Sequence, residues 1–416
     1  MERLPSNIML DIFSRVPVKC LARSRCVSKE WCRYIDDRYL VIIHDDRVKE
    51  EPTPILYHSH LSRNKRTHSL CFHVTESKQK ATRRYYKKAR VGTKQTGSAD
   101  HTYVLEPKED PFFKFLRKKP LTKSSIVKIE VLGSCNGMMC LVQDEDDEIT
   151  SLVVVHPLRK ECYEVPPFPL HFDSDDFEVT CGLGFDASNN TLKMVCVFIK
   201  DFAPASTLVH VFGTNSWREI PQVPLYRIIE KGIFANGCLH WLVSYLDIKT
   251  ECGRHVTWFD VEKEEFGLID PPKRMCDIKT EDNCYYDHLV DLNGEVGYVS
   301  RTLEVWVLKK KEWVPHCRFD EKKFVPYGYI QVLGCWNIDG DMLIRNRYYG
   351  GDKFIVYNLK SGVLHKTNIV VPLDVSHPNI FMHPNKLFSI HGIGTNSFPM
   401  KKRALKKSCQ RLLYSY

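Results

Sequence analysis

Apolar residues in the first 35 positions recur at helical spacing. Ile8, Ile12, Phe13 and Val16 fall at i, i+4, i+5 and i+8 and draw one apolar stripe, with Pro5 suited to a first helical turn and Pro17 ending the element. A second short helix fits residues 19–26 with Leu21 facing inward, and Ser28 followed by Trp31 and Ile35 reads as an N-cap opening a third. Three helices within roughly 40 residues rarely fold alone, so this unit is expected to dock a leftover apolar face on something else.

Beyond residue 130 the period changes from helical spacing to alternation. Short apolar runs flank Asn136-Gly137, Asn189-Asn190, Asn236-Gly237, Asn293-Gly294 and Asp339-Gly340. Asn-Gly between such runs predicts a hairpin, because a type I′ turn needs positive φ at two successive residues. Each of these hairpins is followed by a second: Val153 to Val165, Val209 to Ile220, Val256 to Ile269, Val305 to Val314 and Phe354 to Leu364. Prolines follow the first three, at Pro166-Pro167, Pro221 and Pro271-Pro272, where a strand must stop. Two hairpins per period of about 46 to 57 residues make four strands per unit, the signature of a propeller blade.

Five such units run from about residue 133 to 369. The stretch 54–74 looks like a second hairpin without its first, and 380–390 like a first without its second. Joined, they predict a sixth blade that closes a ring between the two ends of the chain, with seven blades or an irregular barrel as alternatives.

The 416 residues are 43% hydrophobic, enough for two or three folded domains. The start lacks the charged-then-apolar run of a signal peptide, and no apolar stretch reaches the roughly 18 residues of a membrane span, so an intracellular protein of the nucleus or cytoplasm is expected. Sixteen cysteines include no Cys-x-x-Cys, and Cys140, Cys196 and Cys238 sit inside apolar runs, which favours reduced, buried thiols over a zinc site.

Charge is uneven along the chain. From His60 to Glu130 there are 18 Lys and Arg against 6 Asp and Glu, and residues 401–416 add six bases and no acid, while the whole chain carries only +9. The basicity therefore belongs to one segment and one tail. Arg83-Arg84-Tyr85-Tyr86-Lys87-Lys88 interleaves bases with aromatics as nucleic-acid binders do, but no recognition fold surrounds it, and a solvated loop between blades is the preferred reading.

No catalytic grouping stands out by spacing. His156, His210, His240, His255 and His288 fall in or beside strand patterns, as do Trp217, Trp241, Trp258, Trp306, Trp313 and Trp336, so core roles are expected for them. Gly182-x-Gly184 and Gly392-x-Gly394 lack the third glycine of a dinucleotide loop.

The N-terminal wording resembles the F-box, carried by Leu4-Pro5, Ile8, Asp11-Ile12, Arg15-Val16-Pro17, Lys19-Cys20-Leu21, Arg23, Arg25, Val27-Ser28-Lys29 and Trp31. The repeats resemble the F-box-associated, kelch-like domain common in plant F-box proteins, through Gly133-Ser134-Cys135-Asn136-Gly137, Gly182-Leu183-Gly184-Phe185-Asp186, Asn236-Gly237-Cys238-Leu239-His240-Trp241 and Phe259-Asp260. His156-Pro157 stands where that family usually has Asn-Pro, and the acidic run Asp144 to Glu148 lengthens the connection before it.

The resemblance implies a mainly β protein: a three-helix F-box over 1–40, a propeller-like domain of about six four-stranded blades over 41–400 with a basic insertion at about 75–125, and a basic tail over 401–416. It further implies a non-catalytic substrate-recognition subunit of a Skp–cullin–F-box ubiquitin ligase, without cofactor or metal. Leu4, Pro5, Ile8, Ile12, Val16, Pro17, Leu21, Val27 and Trp31 would contact the Skp adaptor, through it a cullin-RING ligase, and the propeller would hold an unidentified target. Neither nucleic acid nor membrane is an expected partner. A glycan- or nucleic-acid-binding propeller outside a ligase is the alternative.

Overall fold

The computed structural model describes residues 4–386 except 62–66, 82–100, 108–112, 119–126, 146–147, 160, 170–177, 248–252, 274–286, 321–323, 325–328, 349–350 and 372–378. Four helices open it: α1 (Ser6–Phe13), α2 (Val18–Ser24), α3 (Lys29–Ile35) and α4 (Arg38–Arg47). Pro5 and Pro17 stand at the N-caps of α1 and α2, where a missing N–H leaves no bond unmade. Ser28 caps α3 as expected, its Oγ accepting from the Trp31 N–H at 3.0 Å.

The fourth helix corrects the expected count and moves the end of the helical unit from residue 40 to 47. Asp37 caps it by accepting from the Tyr39 N–H at 2.8 Å. Leu40 then completes a core with Phe13, Val18, Leu21 and Ile35, and His44 Nε2 lies 2.8 Å from the Val16 carbonyl. The single stripe expected on α1 is in fact split. Phe13 is buried with Met9 and Leu10 against it, while Ile8 and Ile12 turn outward.

After the helices come β1 (Thr53–Leu61), β2 (Thr67–Ala81), β3 (His101–Pro107) and β4 (Phe113–Lys118). The five predicted repeats follow as five antiparallel four-stranded blades. The first comprises β5 (Val127–Cys135), β6 (Met138–Glu145), β7 (Glu148–His156) and β8 (Glu161–Glu164). The second has β9 (Glu178–Asp186), β10 (Thr191–Lys200), β11 (Ala203–Val211) and β12 (Trp217–Ile220). The third has β13 (Ile228–Ala235), β14 (Cys238–Val243), β15 (Val256–Asp260) and β16 (Glu265–Ile269).

The fourth blade has β17 (His288–Asp291), β18 (Val296–Val299), β19 (Glu304–Lys309) and β20 (Glu312–Arg318), and the fifth β21 (Tyr329–Cys335), β22 (Met342–Tyr348), β23 (Gly351–Tyr357) and β24 (Leu364–Val371). The turns behave as their chemistry demands: Asn136 and Gly137 have φ of 49° and 78°, Asn236 and Gly237 51° and 78°, Asn293 and Gly294 56° and 89°.

The sixth unit does join the two ends of the chain. β25 (Asn379–His383) pairs with β1 at Ile55↔Phe381, β1 with β2 at Ile55↔Val74, and β2 with β4 at Leu70↔Phe115. The architecture is a six-bladed-propeller-like domain behind a helical unit. The companion strand expected at 387–390 and the Gly392-x-Gly394 stretch lie outside the described residues. The segment expected to be a basic insertion at 75–125 supplies the end of β2, β3 and β4, and β4 is the outer strand of the sixth blade on β2. β3 pairs with the far half of β2 and, in parallel, with β24 at Lys366↔Thr102.

Innermost strands crowd the axis on one side. β5 and β13 pair in parallel at Gly232↔Gly133, and a Cβ on Gly133 would stand 3.1 Å from the Gly232 carbonyl oxygen. Trp241, fully buried, fills the space beside them, so a Cβ on Gly182 would meet its ring at 2.7 Å. The other repeat tryptophans are core as expected: Trp306 and Trp336 are buried, and Trp217, Trp258 and Trp313 pack on the clusters.

Within each four-stranded blade the first-to-second and third-to-fourth connections share one face of the ring, and the second-to-third and exit connections share the other. Hydrogen bonds agree: the Asn293 amide reaches the Asn337 carbonyl at 3.4 Å between the first turns of two blades, and within the fourth blade the Arg301 N–H meets Asp287 at 2.9 Å on the opposite face.

Candidate functional site

The helical unit sits on the face of the first turns. Leu158, in the connection between β7 and β8, packs on the helical core, and the charged pairs beside it lock the contact. Arg25 donates to Asp36 at 2.7 Å and to Glu161 at 2.7 Å, while Arg159, its side chain wholly buried, bonds Asp36 from the blade side. Burial opposes charge on Asp36, but Arg159 and Arg25 overcome it and hold the carboxyl below its usual range. Tyr163 donates to Glu161 at 3.0 Å, and burial first, then that carboxylate, pushes its phenol up. Further along, Lys386 reaches Asp45 of α4 at 2.8 Å, and the Ile338 N–H meets Glu51 at 2.8 Å.

With that side covered, α1 still shows a second apolar face. Leu4 is 54% exposed, Ile8 43% and Ile12 44%. Pro5 and Pro17 are exposed beside them, and Val27, at 65%, follows α2. The remaining expected contact residues are placed differently. Leu21 is fully buried in the unit's own core, with Val16 and Trp31 packed against that core, so in this conformation these three hold the helices together. Trp31 meets the Phe13 ring edge-on at 5.1 Å. Sequence reading missed two exposed apolar residues on α4, Tyr39 and Ile42; Asp37 ahead of Arg38-Tyr39-Leu40 was the available signal for that helix.

The ring centre holds a cavity of about 60 Å³ lined by residues of β5, β13, β17, β21 and β25, among them Lys231 and Asp291. Burial pulls the Lys231 ammonium down and the Asp291 carboxyl up, each opposed by the other's charge, and Asp291 also accepts from the Gly294 N–H at 2.7 Å. That volume suits a few waters.

The expected core histidines are buried at His156, His210, His240 and His288, with His255 half-buried. His210 Nδ1 lies 3.0 Å from the Ser216 carbonyl, and His288 Nε2 accepts from the Val332 N–H at 2.9 Å, stitching two blades. His156 and His383 face each other with ring centroids 6.1 Å apart. Among the described residues no three His, Cys, Asp or Glu side chains group closely enough to hold a metal ion, and no helix is long and apolar enough to cross a membrane. Cys135, Cys140, Cys181 and Cys196 are buried free thiols, whereas Cys238 is half-buried.

Comparison with known proteins agrees with this division of the chain. The F-box associated beta propeller domain matches residues 98–386, and the F-box domain matches residues 1–42. Similar relatives include an F-box/kelch-repeat protein of Arabidopsis thaliana, 24% identical over 318 residues that span 74% of this chain and 76% of the relative. An F-box protein of the same plant is 24% identical over 435 residues, covering 94% of this chain and 89% of its own. Among solved structures, the six-bladed fucose lectin of Aleuria aurantia covers 78% of this chain and 98% of its own at 9% identity and a TM-score of 0.37, an overlap too slight to argue from.

Proposed function

The chain belongs to the F-box associated beta propeller family and carries an F-box domain ahead of the propeller, and on that premise we propose that it is the substrate-recognition subunit of a Skp–cullin–F-box ubiquitin ligase. The observation that carries the reading is the outward apolar pair Ile8 and Ile12 on a helix whose opposite side is already buried, continued by exposed Leu4 just ahead of it. Burying one such side chain is worth roughly 1.5–3 kcal/mol, so a row left in water marks a partner's groove. Leu4, Pro5, Ile8, Ile12, Pro17 and Val27 form the contact set for the Skp adaptor.

In this role the chain does no chemistry. It holds a target on the propeller while the cullin-RING assembly brings a charged ubiquitin carrier near, and the rate gain comes from effective concentration. The work is intracellular.

The test is capture of the full chain by a purified Skp adaptor, beside Ile8→Glu and Ile12→Glu variants. Tight capture by the intact chain and at least hundredfold weaker capture by variants of unchanged melting temperature is the expected result. A folded chain that no adaptor captures, or one indifferent to both substitutions, overturns the reading.

A further inference from the structure

The innermost strands β5, β13, β17, β21 and β25 wall the axial cavity of about 60 Å³, and among its lining residues stand one lysine and one aspartate. Lys231 enters at an irregularity: the ladder between β13 and β14 slips between Ile229 and Ile233, and Glu230 there takes a φ of 67°. Asp291 ends β17. Each feels the other's charge, yet no hydrogen bond or ion pair joins them. The Gly294 N–H takes one oxygen of Asp291 at 2.7 Å, and among the described residues nothing bonds its other oxygen or the Lys231 ammonium. Asn293, an exposed residue of the lining, opens the cavity on the face of the first turns.

Neighbouring charges have partners elsewhere. Glu230, beside Lys231, meets Arg254 at 3.4 Å, and Lys386 bonds Asp45 at 2.8 Å. His383, on the wall, has its Nε2 at 2.8 Å from the Gly137 carbonyl, and burial holds it at about 4, so it is neutral near pH 7. The cavity therefore presents one positive and one negative group and no net charge. Ser134 adds a hydroxyl, and Met139, Ile233, Leu333, Phe381 and Met382 are apolar.

A simple anion on Lys231 would face the Asp291 carboxylate across the same space, and a simple cation on Asp291 would face the lysine. Either leaves one desolvated charge without a partner, which is costly. A molecule bearing both charges satisfies both groups. At roughly 10–15 Å³ for each enclosed water the cavity has room for about four to six, and glycine or alanine has about as many non-hydrogen atoms.

We propose that the axial cavity binds a small amino-acid zwitterion, with its carboxylate on Lys231 and its ammonium on Asp291. The bound molecule touches β25, which pairs with β1 to close the ring, together with innermost strands of the first, third, fourth and fifth blades. Its binding braces the closure between the two ends of the chain. Nothing in this site depends on the adaptor or on a ubiquitination target.

The probes are glycine, alanine and β-alanine, with propionate and ethylammonium as single-charge fragments of alanine, each titrated into the full-length chain by calorimetry and thermal melting. A ligand taken only by the folded chain raises its melting temperature with concentration. At least one zwitterion should bind at least tenfold tighter than either fragment. Lys231→Met should lose that binding and come to prefer ethylammonium, and Asp291→Asn should lose it and come to prefer propionate. A pair that merely supports the fold would show no such exchange. Zwitterions that bind no tighter than the fragments, or none that shifts the melting temperature at tens of millimolar, overturn the proposal and leave water as the occupant. So does zwitterion binding that survives both substitutions, which would place it elsewhere. The comparison of zwitterions with fragments on the unaltered chain stands whether or not a substitution unfolds the ring.

Discussion

Arg25, at the C-cap of the second helix, donates to Glu161 of the first blade at 2.7 Å, across a junction where Asp36 and Arg159 complete the charge pattern. The helical unit is thus clamped to the ring by buried ions and cannot swing on a linker. In an adaptor this fixes the direction in which a bound target faces the rest of the ligase.

Removing Glu161 leaves the guanidinium groups of Arg25 and Arg159 sharing the single carboxylate of Asp36. Glu161→Ala is expected to cost about 1.5–3 kcal/mol, the range for losing a hydrogen bond to a charged group, and to loosen the helices on the blade. Limited proteolysis read at residues 36–53, together with the melting temperature, checks this. An unchanged melting temperature would show that solvent already screens the junction.

Leu21 and Ile8 should separate stability from binding. Leu21→Ala empties a fully buried site and is expected to destabilise the helical unit by about 2–5 kcal/mol. Ile8→Ala, on the exposed face, should move stability by less than about 0.5 kcal/mol while weakening adaptor capture. Urea unfolding and adaptor titration of both variants read the contrast.

Acid should weaken the propeller through its buried histidines. Burial, opposed by backbone carbonyls at Ile233 and Gly137, holds His240 and His383 at about 4 in the folded chain, against an ordinary 6.5. The unfolded chain takes up protons at 6.5 and the native chain does not until about 4, so this stability is complete above pH 6.5 and is lost between 6.5 and 4. Each histidine contributes about 3 kcal/mol across that window. Denaturant melts at pH 7.5 and pH 5 measure the fall, and His383→Asn should make it shallower.

Native thiol labelling should divide the cysteines by blade core. Cys20 and Cys26 are exposed and should alkylate readily, whereas Cys135, Cys140 and Cys196 are buried and their thiols pushed well up by burial. Peptide mapping after brief iodoacetamide treatment checks the order. Prompt labelling of Cys140 or Cys196 would show that the first two blades open readily.

Packing at the axis should tolerate no added methyl. Gly182→Ala would bring a Cβ to 2.7 Å from the Trp241 ring, and overpacking of that kind typically costs about 1–3 kcal/mol. The change should appear in the melting temperature of the propeller and leave adaptor capture untouched.

Blade boundaries were legible in the chain because their causes are local. Asn136-Gly137, Asn236-Gly237 and Asn293-Gly294 demand positive φ wherever they occur, and alternation on either side of them needs no knowledge of the rest of the molecule. Ser28 capping α3 belongs to the same class. The joining of the chain ends into a sixth blade was also readable, but the expected split into two half-repeats was not: β25 pairs directly with β1, so the N-terminal side supplies β1, β2 and β4 beside it.

Long-range contacts set what the pattern could not show. Leu21 turned inward and Ile8 outward because Leu40 and Leu158 arrive from elsewhere to cover one side of the helices and not the other. Phe113 to Lys118, basic and aromatic in sequence, became an outer strand because β2 offered an unpaired edge. Such choices depend on which distant surfaces meet, and a linear string of residues carries no record of that until the ring closes.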